Sequence, residues 1–179
     1  KLLDYQINVI DSNTIIGYRY STEWARDQRI YYILKFSSPI IKTTFNDERN
    51  VVGLSFGELK KPLLVKASIS AVDTNGAIAN SNEISDWDFD RVKKEAQSTW
   101  INELSKIEIT TNSNSKKEIF YTALYHSSLN PNTYKDINDS YLGMDLQKHS
   151  TKDNHYTIFS LWDTFRATHP LFTIINVEK

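Results

Sequence analysis

Residues 157–171 read TIFSLWDTFRATHPL, and this stretch decides how the rest of the chain is interpreted. It places an acid, a base and a histidine inside a run that is otherwise apolar and aromatic. Burying an unpaired charge is costly, so these charges must be paired, exposed in a cleft or functional. The pattern predicts a helix from about Ser160. Pro170 either kinks that helix or lies in the first turn of a further segment.

Three side chains in this stretch are candidate site residues: Trp162, Asp163 and Arg166. On a helix, Asp163 and Arg166 are three residues apart and can pair on one face. One interpretation is therefore an ion pair beside a core tryptophan. The other is a sugar site, in which Asp163 accepts hydrogen bonds from sugar hydroxyls and Arg166 supports its charge. The residues by themselves leave both interpretations open.

Length, charge and composition limit the class of protein. The 179 residues suffice for one ordinary domain or for pieces of two. A net charge of -1 gives no indication of a nucleic-acid or membrane-surface partner, and no apolar run reaches the ~20 residues that span a bilayer. Cysteine is absent, which excludes disulfides and thiolate metal sites. Because the chain begins at Lys1 without a signal peptide, we expect an excised, processed or truncated piece.

Aromatic residues make up 12% of the chain, a share that has two interpretations. Tyr and Trp offer flat apolar faces with polar handles, which suits a sugar-binding protein. They also suit a β-rich core.

The first part of the chain predicts strands. Apolar and polar residues alternate over Leu3–Val9, the period of a half-buried strand. Further β-prone runs follow at 14–20, 29–36, 40–45, 51–56 and 63–71. Polar clusters separate them, among them a predicted loop at Asn46–Asn50 and a predicted turn at Asp73–Gly76. Short strands at this spacing favour an antiparallel sandwich over βαβ units.

The second part predicts helices. Apolar residues recur every three or four positions over Phe89–Ser105, with Asp88 as a plausible N-cap. A short strand is possible at 106–110. Ser115 and Glu118 form a capping box, which predicts a second helix over Lys116–Leu129.

Residues 132–155 form a long polar stretch that ends before the opening motif. A loop of that length is usually functional or partly paired as a hairpin. Its acids do not match an EF-hand, so we interpret them as a solvated loop first and as the lip of a binding cleft second. They are Asp136, Asp139, Asp145 and Asp153. On the helix before this loop, His126 is more simply interpreted as a structural histidine than as a ligand.

Several segments of the chain share one resemblance. They are Lys117–Leu129 (KEIFYTALYHSSL), Tyr141–Asp145 (YLGMD), Tyr156–Leu171 (YTIFSLWDTFRATHPL), Gly17–Gln28 (GYRYSTEWARDQ) and Trp87–Asp90 (WDFD). Together they resemble glycoside hydrolase family 92, the calcium-dependent, inverting exo-α-mannosidases. The resemblance covers nearly the whole chain, and its most specific motif is Trp-Asp-Thr-Phe-Arg.

The resemblance implies an α+β architecture. It consists of an antiparallel β-sandwich segment, a linker helix and the first helices of an (α/α)6 barrel. We therefore expect a partial sandwich domain at 1–85, a helical linker at 86–111 and the start of the catalytic domain at 112–179.

The resemblance also implies roles for residues. Trp162 and Asp163 line the pocket for the terminal mannose of an α-mannoside glycan, with Arg166 supporting Asp163. His126 and Asp145 follow as residues in or next to that pocket.

An inverting glycosidase also needs an acid and a base about 6.5–9.5 Å apart. In the family these carboxylates and the calcium ligands belong to sequence beyond Lys179. We therefore assign no catalytic or metal-binding residue here and expect this chain alone to be inactive, since it lacks the remainder of the parent polypeptide. The parent is expected to be extracytoplasmic and to prefer α-1,2 linkages. The alternative is a non-catalytic carbohydrate-binding or interaction module.

Overall fold

The computed structural model describes residues 1–46 and 51–177. The chain divides into two compact units. The first comprises Lys1–Trp87 and Lys135–Asn154, and the second comprises Asp88–Tyr134 and His155–Lys179. The predicted boundaries at 1–85, 86–111 and 112–179 refer to the domains of a protein family. The two units are defined by their compactness instead, so the predicted boundaries stay predictions.

The strands of the described residues all lie in the first unit. They are β1 (Leu2–Asp11), β2 (Thr14–Ser21), β3 (Gln28–Phe36), β4 (Lys42–Asn46), β5 (Val51–Ser55), β6 (Val65–Ser70), β7 (Ser140–Leu142) and β8 (Lys148–Ser150). A four-stranded sheet has the order β1-β2-β3-β6, and β4-β5 and β7-β8 form separate pairs. Every pairing is antiparallel, as predicted. Asn46 ends β4, and the rest of the predicted loop Asn46–Asn50 lies outside the described residues.

The helices of the described residues are more numerous than predicted. They are α1 (Thr74–Asn80), α2 (Phe89–Leu104), α3 (Asn114–Ser127), α4 (Leu161–Thr164) and α5 (Thr168–Ile175). Only α1 belongs to the first unit. No helix in the described part of the chain is long and apolar enough to cross a membrane.

The core of the sheet lies along β2 and β3. Ile15 pairs with Leu34, and Ile16 pairs with Ile33. Because successive side chains point to opposite faces, Ile15 and Ile33 lie on different faces, and both are buried. The middle of the sheet is therefore covered on both sides.

The predicted turn at Asp73–Gly76 is wrong, because these residues begin α1. Asp73 is the N-cap, and its carboxylate accepts a hydrogen bond of 2.8 Å from the Gly76 amide. Asp, Asn and Gly favour both turns and helix starts, so local composition does not separate the two. The helix forms rather than the turn because it buries Ala77 completely in the first unit.

Asp136 joins three parts of the first unit. Its carboxylate accepts hydrogen bonds of 2.7 Å from the Ser70 hydroxyl on β6 and 2.7 Å from the Asn80 side-chain amide on α1. Its own amide donates to the Ser140 carbonyl on β7 at 2.8 Å. Asp136 is only 4% exposed, so its interpretation as part of a solvated loop is wrong.

Asp139 is also tied down rather than solvated. Its carboxylate forms ion pairs with the amines of Lys135 and Lys152, and the two hydrogen bonds hold the pKa of Asp139 below its ordinary value. The stretch 132–155 is partly paired through β7 and β8, which confirms the hairpin alternative.

The second unit confirms one predicted helix start and corrects another. Asp88 caps α2 by accepting from the Arg91 amide at 2.9 Å, as predicted. The cap of α3 is Ser113, which accepts from the Lys116 amide, and so the predicted capping box at Ser115 begins two residues too late. Either serine precedes a helical run, and sequence alone does not choose between them.

The possible strand at 106–110 is not formed. These residues are irregular, and no strand of the described residues pairs with them. The Ile107 carbonyl instead accepts a hydrogen bond of 3.1 Å from the Tyr121 hydroxyl on α3.

Replacing Gly76 with alanine tests the contact between α1 and Asp136, because it adds one methyl group at that contact. A Cβ at Gly76 would lie 2.1 Å from the Asp136 carboxylate oxygen and 2.6 Å from the Ser70 hydroxyl oxygen. In a helix, alanine is more favourable than glycine by about 1 kcal/mol. Overpacking costs about 1–3 kcal/mol, and the added methyl group also breaks the buried hydrogen bonds of Asp136. We therefore expect Gly76→Ala to lower the free energy of unfolding, measured by urea denaturation.

Gly53→Ala is the matched control. A Cβ at Gly53 on β5 would meet its nearest neighbour, the Thr44 carbonyl oxygen, at 3.8 Å, an ordinary contact. We expect this variant to be at least as stable as the wild type. A stabilised Gly76→Ala would contradict the tight contact between α1 and Asp136.

Candidate functional site

The stretch 157–171 forms two short helices rather than one. α4 ends at Thr164 and α5 begins at Thr168, with a break between them. Pro170 is the third residue of α5, a position where its missing amide costs no helical hydrogen bond. The alternative that placed Pro170 in the first turn of a further segment is therefore confirmed.

Trp162, Asp163 and Arg166 are all exposed in the second unit, and Trp162 is 88% exposed. The Arg166 guanidinium lies over the Phe165 ring, 5.6 Å from its centroid. Among the described residues no ion pair joins Asp163 to Arg166, so the ion-pair interpretation is wrong. The Asp163 carboxylate is thus open to solvent and able to accept hydrogen bonds from a ligand.

Aromatic packing supports these helices from within the second unit. Phe159, just before α4, contacts the His169 ring edge-on at 4.8 Å and the Phe172 ring at 6.2 Å. Phe159 and Phe172 also line a cavity of about 320 Å³ together with Trp100 and Tyr156. This cavity could not be predicted from the sequence, because its walls come from segments far apart in the chain.

His126 lies on α3, and its side chain is exposed. Its ring lies 5.7 Å from that of Tyr125, which packs edge-on against Trp100 at 4.6 Å. His126 is therefore not a buried core histidine. Its role in a mannose pocket stays a prediction.

Asp145 belongs to the first unit, in the turn between β7 and β8. The Nε2 atom of His149 lies 3.0 Å and 2.9 Å from the two Asp145 carboxylate oxygens, and the Tyr141 ring stacks on that histidine at 5.5 Å. The Gln147 amide donates to the same carboxylate at 3.0 Å. This backbone hydrogen bond and the contact with His149 lower the pKa of Asp145.

His149, the partner of Asp145, was not among the site residues predicted from the sequence. The available signal was a chain reversal after Gly143, which brings residues 141 and 149 opposite each other. Gly143 itself has no room for a side chain, since a Cβ would lie 2.5 Å from the Asp145 carboxylate.

Metal ions need several donor side chains that converge on one point. In residues 1–46 and 51–177, no group of three or more His, Asp or Glu side chains is placed to hold a metal ion. None of these residues is therefore assigned to calcium, which takes about six to eight oxygen ligands.

Comparison with known families gives a match over more than half of the chain. The model of the glycosyl hydrolase family 92 catalytic domain matches residues 76–179, which include the stretch 157–171 and the cavity-lining segments. No curated protein matches this chain.

Solved structures give the same family. The family GH92 α-mannosidase BT3965 from Bacteroides thetaiotaomicron superimposes with a TM-score of 0.83 at 27% identity, over 94% of this chain and 26% of that chain. That enzyme was also solved in complex with mannoimidazole. The family GH92 inverting mannosidase BT2199 from the same organism gives a TM-score of 0.84 at 25% identity, over 97% of this chain and 26% of that chain.

This chain thus spans about a quarter of the length of these solved relatives. The predicted α+β class with antiparallel sheets is confirmed. The (α/α)6 barrel stays a prediction.

The contact between His149 and Asp145 predicts that the pKa of Asp145 changes when His149 is replaced. In His149→Ala, we expect the Asp145 pKa to rise part of the way towards its ordinary value, because the hydrogen bond from Gln147 remains. Carbon-13 NMR titration of the carboxylates measures this shift.

Lys148→Ala is the control on the neighbouring residue of β8. The Lys148 amine donates to Asp73 at 2.9 Å. Burial acts to raise the pKa of Asp73, but hydrogen bonds from Lys148 and Gly76 outweigh it and lower that pKa. This variant should therefore raise the pKa of Asp73 and leave the pKa of Asp145 unchanged. An unchanged Asp145 pKa in His149→Ala would contradict the contact between His149 and Asp145.

Proposed function

Because this chain belongs to glycosyl hydrolase family 92, we propose that the polypeptide containing it is an inverting exo-α-mannosidase that releases terminal mannose from glycans. The solved relatives carry the names α-mannosidase and inverting mannosidase, which supports this substrate class. The mannoimidazole complex of one relative supports a mannose-shaped pocket in the family.

The observation that carries the proposal is the open Asp163 carboxylate beside an exposed Trp162. In the proposal, the tryptophan offers a flat apolar face to the sugar ring, and the carboxylate accepts hydrogen bonds from ring hydroxyls. Arg166, placed over Phe165 at the end of α4, adds positive charge near that carboxylate. His126 and Asp145 are included as pocket or neighbouring residues on the strength of the family motifs alone.

The chemistry of inversion needs two carboxyl groups on opposite faces of the sugar. One protonates the leaving oxygen and the other activates a water molecule, with about 6.5–9.5 Å between them. We assign both to parts of the family's sequence that this chain does not cover. Expressed alone, residues 1–179 are therefore expected to show no turnover.

The finer parts of the proposal come from the family resemblance. They are calcium dependence, a preference for α-1,2 linkages and an extracytoplasmic location. When bound, calcium would supply a positive charge that helps distort the mannose ring. No residue of this chain is assigned to hold it.

Asp163→Ala tests the substrate-binding role in the whole polypeptide. Losing hydrogen bonds that strengthen in the transition state should lower kcat/KM on an aryl α-mannoside by about 10²-fold or more. Because the side chain is exposed and bonded to no described residue, the melting temperature should stay within about 2 °C of wild type. Steady-state kinetics and calorimetry measure the two quantities.

Asp153→Ala is the matched control, since Asp153 is also an exposed acid but lies outside the family motif. It should change neither quantity. Retained activity in Asp163→Ala, together with a large loss of stability, would indicate that Asp163 is structural and that the site lies elsewhere.

Chelation tests the proposed calcium requirement. Dialysis of the whole polypeptide against EGTA should remove the α-mannosidase activity, and added calcium should restore it. Equimolar magnesium should not restore it, because Mg²⁺ is smaller than Ca²⁺ and demands a nearly regular octahedron of oxygen ligands. Full turnover after dialysis would remove calcium from the proposal and leave the glycosidase assignment standing.

A further inference from the structure

The turn between β7 and β8 is fixed by its own backbone. The Gly143 amide donates to the Gln147 carbonyl at 2.9 Å, and the Leu146 amide donates to the Gly143 carbonyl at 2.9 Å. Leu146 has a φ of 61°, in the left-handed region that residues other than glycine rarely adopt. Residues held in this region cluster at active sites and ligand clamps. The turn therefore has one defined conformation, and Asp145 is its acid.

The Asp145 carboxylate is held at two points. The Gln147 amide donates to its Oδ1 atom at 3.0 Å. The Nε2 atom of His149 lies 3.0 Å from Oδ1 and 2.9 Å from Oδ2. The carboxylate cannot rotate without losing the contact with this ring nitrogen. Its two oxygens therefore have fixed directions, which lowers the entropy cost of binding a ligand.

His149 is in turn positioned by β7 and by the start of the turn. Tyr141 pairs with His149 across the hairpin, and their rings stack with centroids 5.5 Å apart. A Cβ on Gly143 would lie 2.6 Å from Cδ2 and 2.9 Å from Nε2 of His149, so the imidazole packs directly against the glycine backbone. Packing therefore fixes the ring independently of its contact with Asp145.

The base of the hairpin is attached to the rest of the first unit. Ser140 of β7 is buried, and its carbonyl accepts from the Asp136 amide at 2.8 Å. On β8, the Lys148 amine donates at 2.9 Å to Asp73, the N-cap of α1. Successive side chains of a strand point to opposite faces, so Lys148 and His149 point away from each other. Lys148 thus anchors the strand, and His149 is left to contact the turn.

We propose that His149 is a positioning residue for sugar binding, which holds the Asp145 carboxylate where it accepts hydrogen bonds from the hydroxyls of an α-mannoside. This rests on the proposed function, in which Asp145 is a pocket or neighbouring residue. The hydrogen bond from Gln147 and the contact with His149 lower the pKa of Asp145, so its carboxylate is ionised at neutral pH. An ionised carboxylate only accepts hydrogen bonds, so Nε2 of His149 carries the proton between them. His149 contacts Asp145 rather than the sugar and takes part in no chemical step.

An ion pair that only stabilises the hairpin is the alternative. The side chains of His149 and Asp145 are 42% and 55% exposed, and exposed ion pairs contribute little to stability. A stabilising pair and a positioning pair also differ in a measurable way. If His149 acts through Asp145, its effect on sugar binding disappears once Asp145 has been removed, which a double-mutant cycle detects.

The cycle is measured in the whole polypeptide as kcat/KM on an aryl α-mannoside. Asp145→Ala and His149→Ala should each lower kcat/KM by about tenfold, because each removes a hydrogen bond that involves a charged group. The double variant should be no less active than Asp145→Ala alone. Independent effects would instead multiply to about a hundredfold loss.

His149→Gln is the conservative variant of the positioning residue. A glutamine amide can donate from near the position of Nε2, so this variant should recover kcat/KM to within about threefold of wild type. Lys148→Ala is the matched control on β8. It loses the contact with Asp73 but keeps His149, and its kcat/KM should equal that of wild type.

Four results would overturn the proposal. They are multiplied losses in the double variant, unchanged kcat/KM in Asp145→Ala, a His149→Gln variant as impaired as His149→Ala, and an equal impairment in Lys148→Ala. Failure of the mannosidase assignment would appear separately, as absent turnover in the wild type. The same cycle is then measured as the dissociation constant for D-mannose by NMR titration, which needs no turnover. Coupled losses there would still support the role of His149, and absent binding of D-mannose would contradict it.

Discussion

The buried carboxylate of Asp136 is the constraint on which the first unit depends. It binds the Ser70 hydroxyl on β6 and the Asn80 amide on α1, and these partners are 66 and 56 positions away in the sequence. A buried acceptor that lost these donors would keep its full cost of desolvation. The cost is avoided only when the sheet, the helix and the segment 135–154 are assembled together. The packing is therefore cooperative, although the segments are far apart along the chain.

The periodic elements could be predicted from sequence because their signals are local. Alternation over Leu3–Val9 and the helical period over Phe89–Ser105 survive in β1 and α2 with small changes at their ends. The helix α1 was missed because Asp73 and Gly76 favour a turn equally well. Its formation depends on the burial of Ala77, which only the complete first unit supplies.

The charged residues also differ in whether their environment follows from local sequence or from contacts that only the folded chain supplies. Asp136, Asp139 and Asp145 look alike in the sequence, yet one is buried, one joins two lysines and one faces His149. None of these partners could be derived from the spacing, because chain reversals bring them together. The motif at 157–171 was recognisable because its chemistry is contiguous, although its division into α4 and α5 was one of two alternatives.

The acids of the first unit differ from Asp163 in the partners of their carboxylates. In the first unit the carboxylates of Asp27, Asp73 and Asp139 each meet a cationic side chain, which is how structural charges are normally satisfied. Asp163 has no such partner among the described residues, and Arg166, three positions away, lies over an aromatic ring instead. The Asp163 carboxylate therefore keeps its full capacity to accept hydrogen bonds, which is what its proposed role in binding sugar hydroxyls requires.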